Sequence, residues 1–319
     1  MAARKVALLT FLAAACCAVH APSTAAWSTA ISHKHSPGST GPAAAHPPGM
    51  HIVIAVHQED VNEVEQYVEK LLGIRSVAAT HPRIFIYCKG TPVFVAQARD
   101  RGFAHEVIEL PNVGREQETY LWHIVAHYDR LPEHVFFSQA LANYEELLLG
   151  RLQTLFSPRT GALGLGLVAI CTCEGYSDLW AGHGPGGFIR LREVWALAQG
   201  TLCPHEFACF HNGFLVASRA RLHLQPRKLY EYLLGLFATP ANHPLRANEE
   251  LYKHVKSNLP DEWPTWGHVM ERSWNALLNC TDVEVAYGCN TPCESEDCSQ
   301  LERCQCLDDG TPHAGVAPI

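Results

Sequence analysis

Four apolar runs of strand length, residues 51–57, 84–88, 105–110 and 135–137, alternate with segments whose apolar residues recur at helical spacing. Continuous apolarity over so few residues suits a strand covered on both faces, the kind found in parallel sheets with helices on either side. Between the first two runs, Val64, Tyr67, Val68, Leu71 and Leu72 share one helical face behind Asp60 or Asn62 as cap. The order strand, helix, strand, helix, strand, helix, strand predicts an α/β domain with a mostly parallel central sheet flanked by helices. In such sheets ligands bind beyond the carboxyl ends of the strands. That rule places four loops on one rim: residues 57–60 with His57 and Glu59, Lys89 with Gly90, residues 112–116, and Ser138 with Gln139.

The third loop opens the most informative stretch. Pro111 ends a strand, Gly114 permits a tight turn, and Glu116 and Glu118 put negative charge in the first turn of a helix that stops near Asp129. On that helix Leu121, Ile124, Val125 and Tyr128 form a core face. Glu116, Tyr120, His123 and His127 form a polar stripe beside it, a candidate working face. Asn112 and Arg115 stand at its mouth, where free N–H groups, the dipole and a guanidinium suit a phosphate or diphosphate. The alternative for Arg115 is an ion pair with a neighbouring carboxylate.

Further along, residues 141–156, 188–199, 226–237, 249–258 and 266–278 are expected to be helices, the last carrying His268, Glu271, Arg272 and Trp274. Residues 162–170 read as a strand, 182–187 as a glycine-rich loop, and Asn212 with Gly213 as a turn before a buried strand ending at Ser218 and Arg219. No G-x-S-x-G elbow is present, which argues against a serine hydrolase.

The compartment is legible in the first residues. Arg4 and Lys5 precede an apolar run at 6–19 and small residues, the pattern of a secretory signal peptide over 1–21. The run is shorter than the roughly 20 residues a membrane span needs, so cleavage is expected, with a retained Golgi-type anchor as the alternative. Residues 22–50 read as a disordered linker, and no later segment is apolar for long enough to span a membrane. Secretion, or residence in the lumen of the Golgi or endoplasmic reticulum, follows. A net charge of −8 argues against nucleic acid as a partner.

Of 13 cysteines, Cys16 and Cys17 leave with the signal, so an odd number remains and at least one thiol has no partner within the chain. Cys171, Cys173, Cys203 and Cys209 fall inside the α/β domain. Cys280, Cys289, Cys293, Cys298, Cys304 and Cys306 fall in a tail, 279–319, too poor in apolar residues to fold without covalent staples. Three disulfides are expected there, a zinc site being the alternative. Asn279 opens an Asn-Cys-Thr acceptor for N-glycosylation.

The core from 51 to 278 resembles a family catalogued as domain of unknown function 3431. The resemblance rests on Leu110-Pro111-Asn112-Val113-Gly114-Arg115-Glu116, Thr119-Tyr120-Leu121, His123-Ile124, His127-Tyr128-Asp129, Leu131-Pro132 and Val135-Phe136-Phe137, with Asn212 to Arg219 and Glu271-Arg272-Ser273-Trp274 as later blocks. Its order of motifs is similar to that of GT-A nucleotide-sugar transferases, where an Asn-x-Gly-Arg-acidic loop lines the nucleotide pocket. The resemblance implies a GT-A-like, Rossmann-related domain over 51–278, a nucleotide-sugar donor and a carbohydrate or glycoconjugate acceptor. The chain departs from that pattern after the fourth strand, where residues 137–146 lack the Asp-x-Asp that holds a divalent metal. Cys88 also stands where an Asn is expected before Lys89.

On this reading Arg115, then Lys89 and Arg272, neutralise a departing diphosphate, and Glu116 and Glu271, with His123 as an alternative, deprotonate the acceptor. Asn212 and Gly213 shape the acceptor side, and His57, Glu59, Asn112 and Gln139 are further ligand-binding candidates on the rim. Two other classes are carried. One is a secreted carbohydrate-binding protein of the same fold without catalysis. The other is a metal-dependent hydrolase using His123 and His127, four apart on one helical face although Ile124 stands where such helices carry glutamate.

Overall fold

A computed structural model describes residues 49–142, 144–173, 189–239, 243, 264–290 and 303–308. The expected signal peptide, nearly all of the linker, the glycine-rich loop, the helix at 249–258, and Cys293 and Cys298 lie outside these residues. Strands β1 (Met50–Val56), β2 (Arg83–Cys88), β3 (Glu106–Glu109) and β4 (His134–Gln139) pair in parallel in the order β3-β2-β1-β4. Every residue of β1 is buried, which is why its run is apolar without alternation. β3 lies at the sheet edge and is only partly covered.

The crossovers are helical. α1 (Val61–Gly73) is capped by Asp60, whose carboxylate accepts the Asn62 N–H, and buries Val64, Tyr67, Val68 and Leu71. Leu72 is 38% exposed, so the buried stripe is narrower than the spacing predicted. The short α2 (Arg75–Ala78) follows it. α3 (Pro92–Arg101) begins behind a Thr91 cap and ends at Gly102, whose φ of 67° is a left-handed C-cap. α4 (Arg115–His127) runs into a 3-10 turn, Tyr128–Arg130.

Beyond β4 come α5 (Glu145–Thr154), β5 (Thr160–Gly164), β6 (Val168–Cys171), α6 (Ile189–Gln199), β7 (Phe207–Phe210), β8 (Leu215–Ser218), α7 (Arg219–Leu222), α8 (Arg227–Leu236), α9 (Pro264–Leu277), α10 (Val283–Asn290) and β9 (Gln305–Leu307). β8 is antiparallel to β4, β5 to β8 and β9 to β5. β5 therefore runs in the direction of β1–β4, and five of the seven strands in the sheet agree. The architecture is a mixed, mostly parallel sheet flanked by helices. The single strand expected over 162–170 is instead two strands in two sheets, because β6 pairs with β7 in a separate ladder. The break is at glycines: a Cβ on Gly164 would lie 2.5 Å from the Phe210 ring, and one on Gly166 2.6 Å from the His211 carbonyl.

Disulfides join Cys171 to Cys209, Cys173 to Cys203, Cys280 to Cys306 and Cys289 to Cys304. Cys88 is a buried free thiol. The cysteine-rich segment supplies β9, an edge strand of the main sheet. Buried Arg221 fastens it there, donating to the carbonyls of Leu278, Asn279 and Leu307 and to Asp308. Among the described residues no helix is long and apolar enough to cross a membrane.

α4 packs on β1 and β4 and is itself covered by α8 and α9, so it is buried on nearly every side. The polar stripe expected to be a working face is thereby split, with Tyr120 and His123 turned inward while Glu116 and His127 stay part-exposed. Tyr120 and His123 are both fully buried. His123 Nδ1 is 2.7 Å from the Tyr87 hydroxyl and Nε2 is 3.1 Å from His51 Nδ1, while its ring stacks on His127 at 4.4 Å. Burial first, then the neighbouring cationic groups, pushes His51 down to about 3 and His123 well below the usual histidine range. Both are neutral core residues.

A histidine whose folded pKa is depressed contributes stability that is present above its unfolded value of 6.5 and is lost as pH falls through the window down to about 3. For His51 alone the loss at pH 5 is about 2 kcal/mol. Urea denaturation between pH 7 and pH 5 should show it, and His51→Phe should flatten that slope.

Candidate functional site

The carboxyl ends of β1, β2 and β4, with the loop after β3, enclose a cleft of about 370 Å³ lined by Ala55, Val56, His57, Gln58, Glu59, Lys89, Asn112, Arg115, Glu116 and Gln139. All four loops placed on one rim from the sequence contribute. The first two meet backbone to backbone, since a Cβ on Gly90 would fall 1.5 Å from the His57 carbonyl. Only glycine fits there. Glu59 closes the turn after β1, its carboxylate accepting the N–H groups of His57 at 2.6 Å and Gln58 at 3.0 Å.

Lys89 is not a ligand-facing cation. Its Nζ donates to the carbonyls of Val113 and Arg115 and to Glu118 Oε2, each at 2.5 Å, and its side chain is 3% exposed. All three of its protons are taken. The work it does is to hold the 113–115 loop in place. There Gly114 and Arg115 are both left-handed, with φ of 65° and 53°, and the Phe237 ring occupies the space a Gly114 Cβ would need. The Arg115 side chain is exposed at the cleft, and no side chain caps the start of α4, where the dipole is positive.

Behind the cleft lies the predicted Asn-Gly turn, with φ of 67° at Asn212 and 68° at Gly213. Gln139 Nε2 donates to the Asn212 carbonyl at 3.0 Å, Tyr120 Oη to the Gly213 carbonyl at 2.9 Å, and the Asn212 N–H to Glu271 Oε1 at 2.5 Å. The Asn212 side chain accepts from the Leu167 N–H at 3.1 Å, so it organises backbone. A Cβ at Gly213 would stand 3.3 Å from Glu116 Oε1. Asn112, Arg115, Glu116 and Gln139 thus line the cleft, with Asn212, Gly213 and Glu271 immediately behind. Arg272, 2% exposed, stands behind Glu271, donating to its Oε2 and to the His268 carbonyl, both at 3.0 Å. It does not line the cleft.

The two carboxylates differ. Burial, then the charge of Glu271, raises Glu116, with smaller opposing contributions from its hydrogen bonds and Arg115. Burial would also raise Glu271, but the hydrogen bond from His268 and the charges of Arg272, His211 and His268 hold it down at about 2. Glu116 thus binds a proton more readily than an ordinary carboxylate, while Glu271 is held ionised. The support of Glu116 includes Gln117, absent from the expected site, which donates to Glu116 Oε1 at 3.1 Å and accepts the Trp274 indole N–H at 2.6 Å. The Glu-x-x-Trp spacing near residue 271 was the only sequence sign of that link.

His123, expected as an alternative base, is in the core and away from the cleft. The hydrolase reading fails with it, since His123 and His127 stack on each other and His123 is bonded to Tyr87 and His51. The carboxylates that line the cleft are those of Glu59 and Glu116. Glu59 already accepts two N–H groups, and among the described residues the group of three metal-capable side chains is Cys171, Cys209 and His211, outside the cleft.

No family model matches the chain, and no curated protein does. Membership of the family suggested by the motif blocks is therefore not shown. Among solved structures the chain is similar to the mannosyltransferase PcManGT of Pyrobaculum calidifontis, in complex with GDP-Man and Mn2+. The two share 14% identity over 86% of this chain and 84% of that one, with a TM-score of 0.31.

Replacing Lys89 by Met strands the carboxylate of fully buried Glu118 and should cost about 3–5 kcal/mol of unfolding free energy. Adding Glu118→Leu should recover part of it in the same chemical-denaturation assay.

Proposed function

We propose that the protein is a secretory-pathway glycosyltransferase that binds a nucleotide-sugar in the cleft and passes the sugar to a hydroxyl of a carbohydrate or glycoconjugate. The observation that carries this reading is the placement of Arg115, Glu116 and Gln139 in one cleft at the carboxyl ends of parallel strands, with Glu271 behind. Arg115 and the uncapped start of α4 meet the diphosphate and take up its growing charge as the glycosidic bond breaks. Glu116, its proton affinity raised, accepts the proton of the attacking hydroxyl. Glu271 stays ionised, raises Glu116 by its charge and fixes the Asn212 turn on the acceptor side. His57, Glu59, Asn112 and Gln139 shape the donor end. On this reading residues 1–21 are a signal peptide, 22–50 a linker, 51–278 the transferase-like domain and 279–319 the cysteine-rich tail. Exposed Asn279 is the glycan acceptor.

The lack of an Asp-x-Asp after β4 and the cysteine-rich tail favour a second reading, a non-catalytic secreted carbohydrate binder of the same fold. The two are separated by turnover. Thermal shift of the full chain with uridine and guanosine diphosphate sugars, with and without manganese, should show stabilisation that does not need the metal. At about 100 times Kd the gain is about 2.7 kcal/mol. Arg115→Ala should abolish the shift, with circular dichroism of the unliganded variant showing the fold intact. Stabilisation by free monosaccharides alone, without sugar transfer or hydrolysis, would support the binder.

A base must be ionised to act, so activity should rise with pH through a limb above 4.5, the ordinary glutamate value. Glu271→Gln removes the neighbouring charge and should move the limb of kcat/KM to lower pH. Glu116→Gln should remove the limb together with turnover.

A further inference from the structure

We infer that Cys171, Cys209 and His211 form a redox-gated zinc site, closed as a disulfide under oxidising conditions and open to Zn2+ once the disulfide is reduced. The inference is independent of the cleft's function. His211 Nε2 lies 3.3 Å from Cys209 Sγ and 3.8 Å from Cys171 Sγ. In a tetrahedral zinc site, bonds of about 2.3 Å to sulfur and about 2.0 Å to nitrogen place S and N about 3.5 Å apart. The two separations, taken with the sulfurs still joined, straddle that value, so the imidazole already stands within ligand range of both. The Cα atoms of Cys171 and Cys209 are 5.8 Å apart, and χ1 rotation alone can part the sulfurs to ligand spacing.

The scaffold holds the three donors independently of the S–S bond. β6 and β7 remain joined by their ladder, which pairs Val168 with Phe210 and Ala169 with Cys209. The His211 N–H donates to the Leu167 carbonyl at 2.8 Å, and Asn275 Oδ1 accepts the Phe210 N–H at 2.7 Å. Both cysteines are buried, Cys209 completely, while His211 is part-exposed and so offers the route by which an ion enters. Among the described residues, none of the other three disulfides has a third metal-capable side chain converging on it. Two sulfurs and one imidazole leave a fourth position for water, and the mixed set favours zinc over the oxygen-seeking Mg2+ and Ca2+.

The chemistry balances with a dithiol reductant. Its two thiols become a disulfide, the Cys171–Cys209 bond accepts two electrons and two protons, and Zn2+ then displaces both protons as the thiolates bind. Because Asn212 follows His211 directly, the loaded ion adds an anchor to the turn behind the cleft.

The test uses the full chain reduced anaerobically with a phosphine and titrated with Co2+, then with Zn2+ as competitor. The wild type should bind one more tightly held Co2+ than the Cys171→Ser/Cys209→Ser double variant, with thiolate-to-cobalt charge transfer in the near ultraviolet and the visible bands of a tetrahedral ion. His211→Ala, its oxidised fold verified by circular dichroism and its disulfide by thiol counting, should weaken that ion by more than the roughly tenfold effect of losing an outer partner. The oxidised protein should take up no such ion. Equal stoichiometry and spectra in wild type and double variant would overturn the inference. If the double variant does not fold, alkylation mapped by mass spectrometry decides. Zn2+ should slow modification of Cys171 and Cys209 in reduced wild type but not in His211→Ala, and equal rates with and without zinc would overturn it as well.

Discussion

A single ammonium group holds the cleft in shape. Lys89 directly follows β2, and its three protons reach across to the loop after β3 and to the first turn of α4. Enclosed in this way, with Glu118 fully buried, the pair is costly to desolvate and costlier to break. What it achieves is conformational: two successive left-handed residues, one of them a non-glycine, persist only where the surroundings over-determine them. Arg115 reaches the cleft because its backbone is pinned from below.

The same economy of parts governs the acidic side. Glu116 and Glu271 come from helices far apart in sequence, yet the turn at Asn212 and Gly213 brings them near enough for one charge to raise the other. Each partner of that turn is a different element: Gln139 at the end of β4, Tyr120 in the middle of α4, Glu271 in α9. The chain places its chemistry where the parallel half of the sheet meets the antiparallel half, and the mixed topology creates that junction.

Much of this was legible in the sequence. The apolar runs gave four parallel strands, and the rule that ligands sit beyond their carboxyl ends drew together His57, Glu59, Asn112, Arg115, Glu116 and Gln139, which line one cleft. On α4 the core face of Leu121, Ile124 and Val125 is buried as its spacing predicts, but α8 and α9 cover the helix as well as the sheet, so His123 and Tyr120 turn into the core and only Glu116 of the polar stripe reaches the cleft. Lys89 and Arg272 were read as ligand cations because a sequence shows a charge but not its partner, which for Lys89 lies 29 residues away. The run at 162–170 could not be divided from composition alone, since the need for glycine at 164 and 166 comes from Phe210 and His211.

The sequence by itself determined the alternation of strand and helix, the rim, the Asn-Gly turn and the excess of cysteines that leaves a lone thiol. These rest on local properties: period, turn chemistry and parity. Only the tertiary structure decided which cysteines pair, that residues 305–307 complete the sheet, and that the two glutamates differ in proton affinity. Those depend on contacts between residues distant in the chain, where burial and the nearest opposite charge outweigh anything a side chain carries alone.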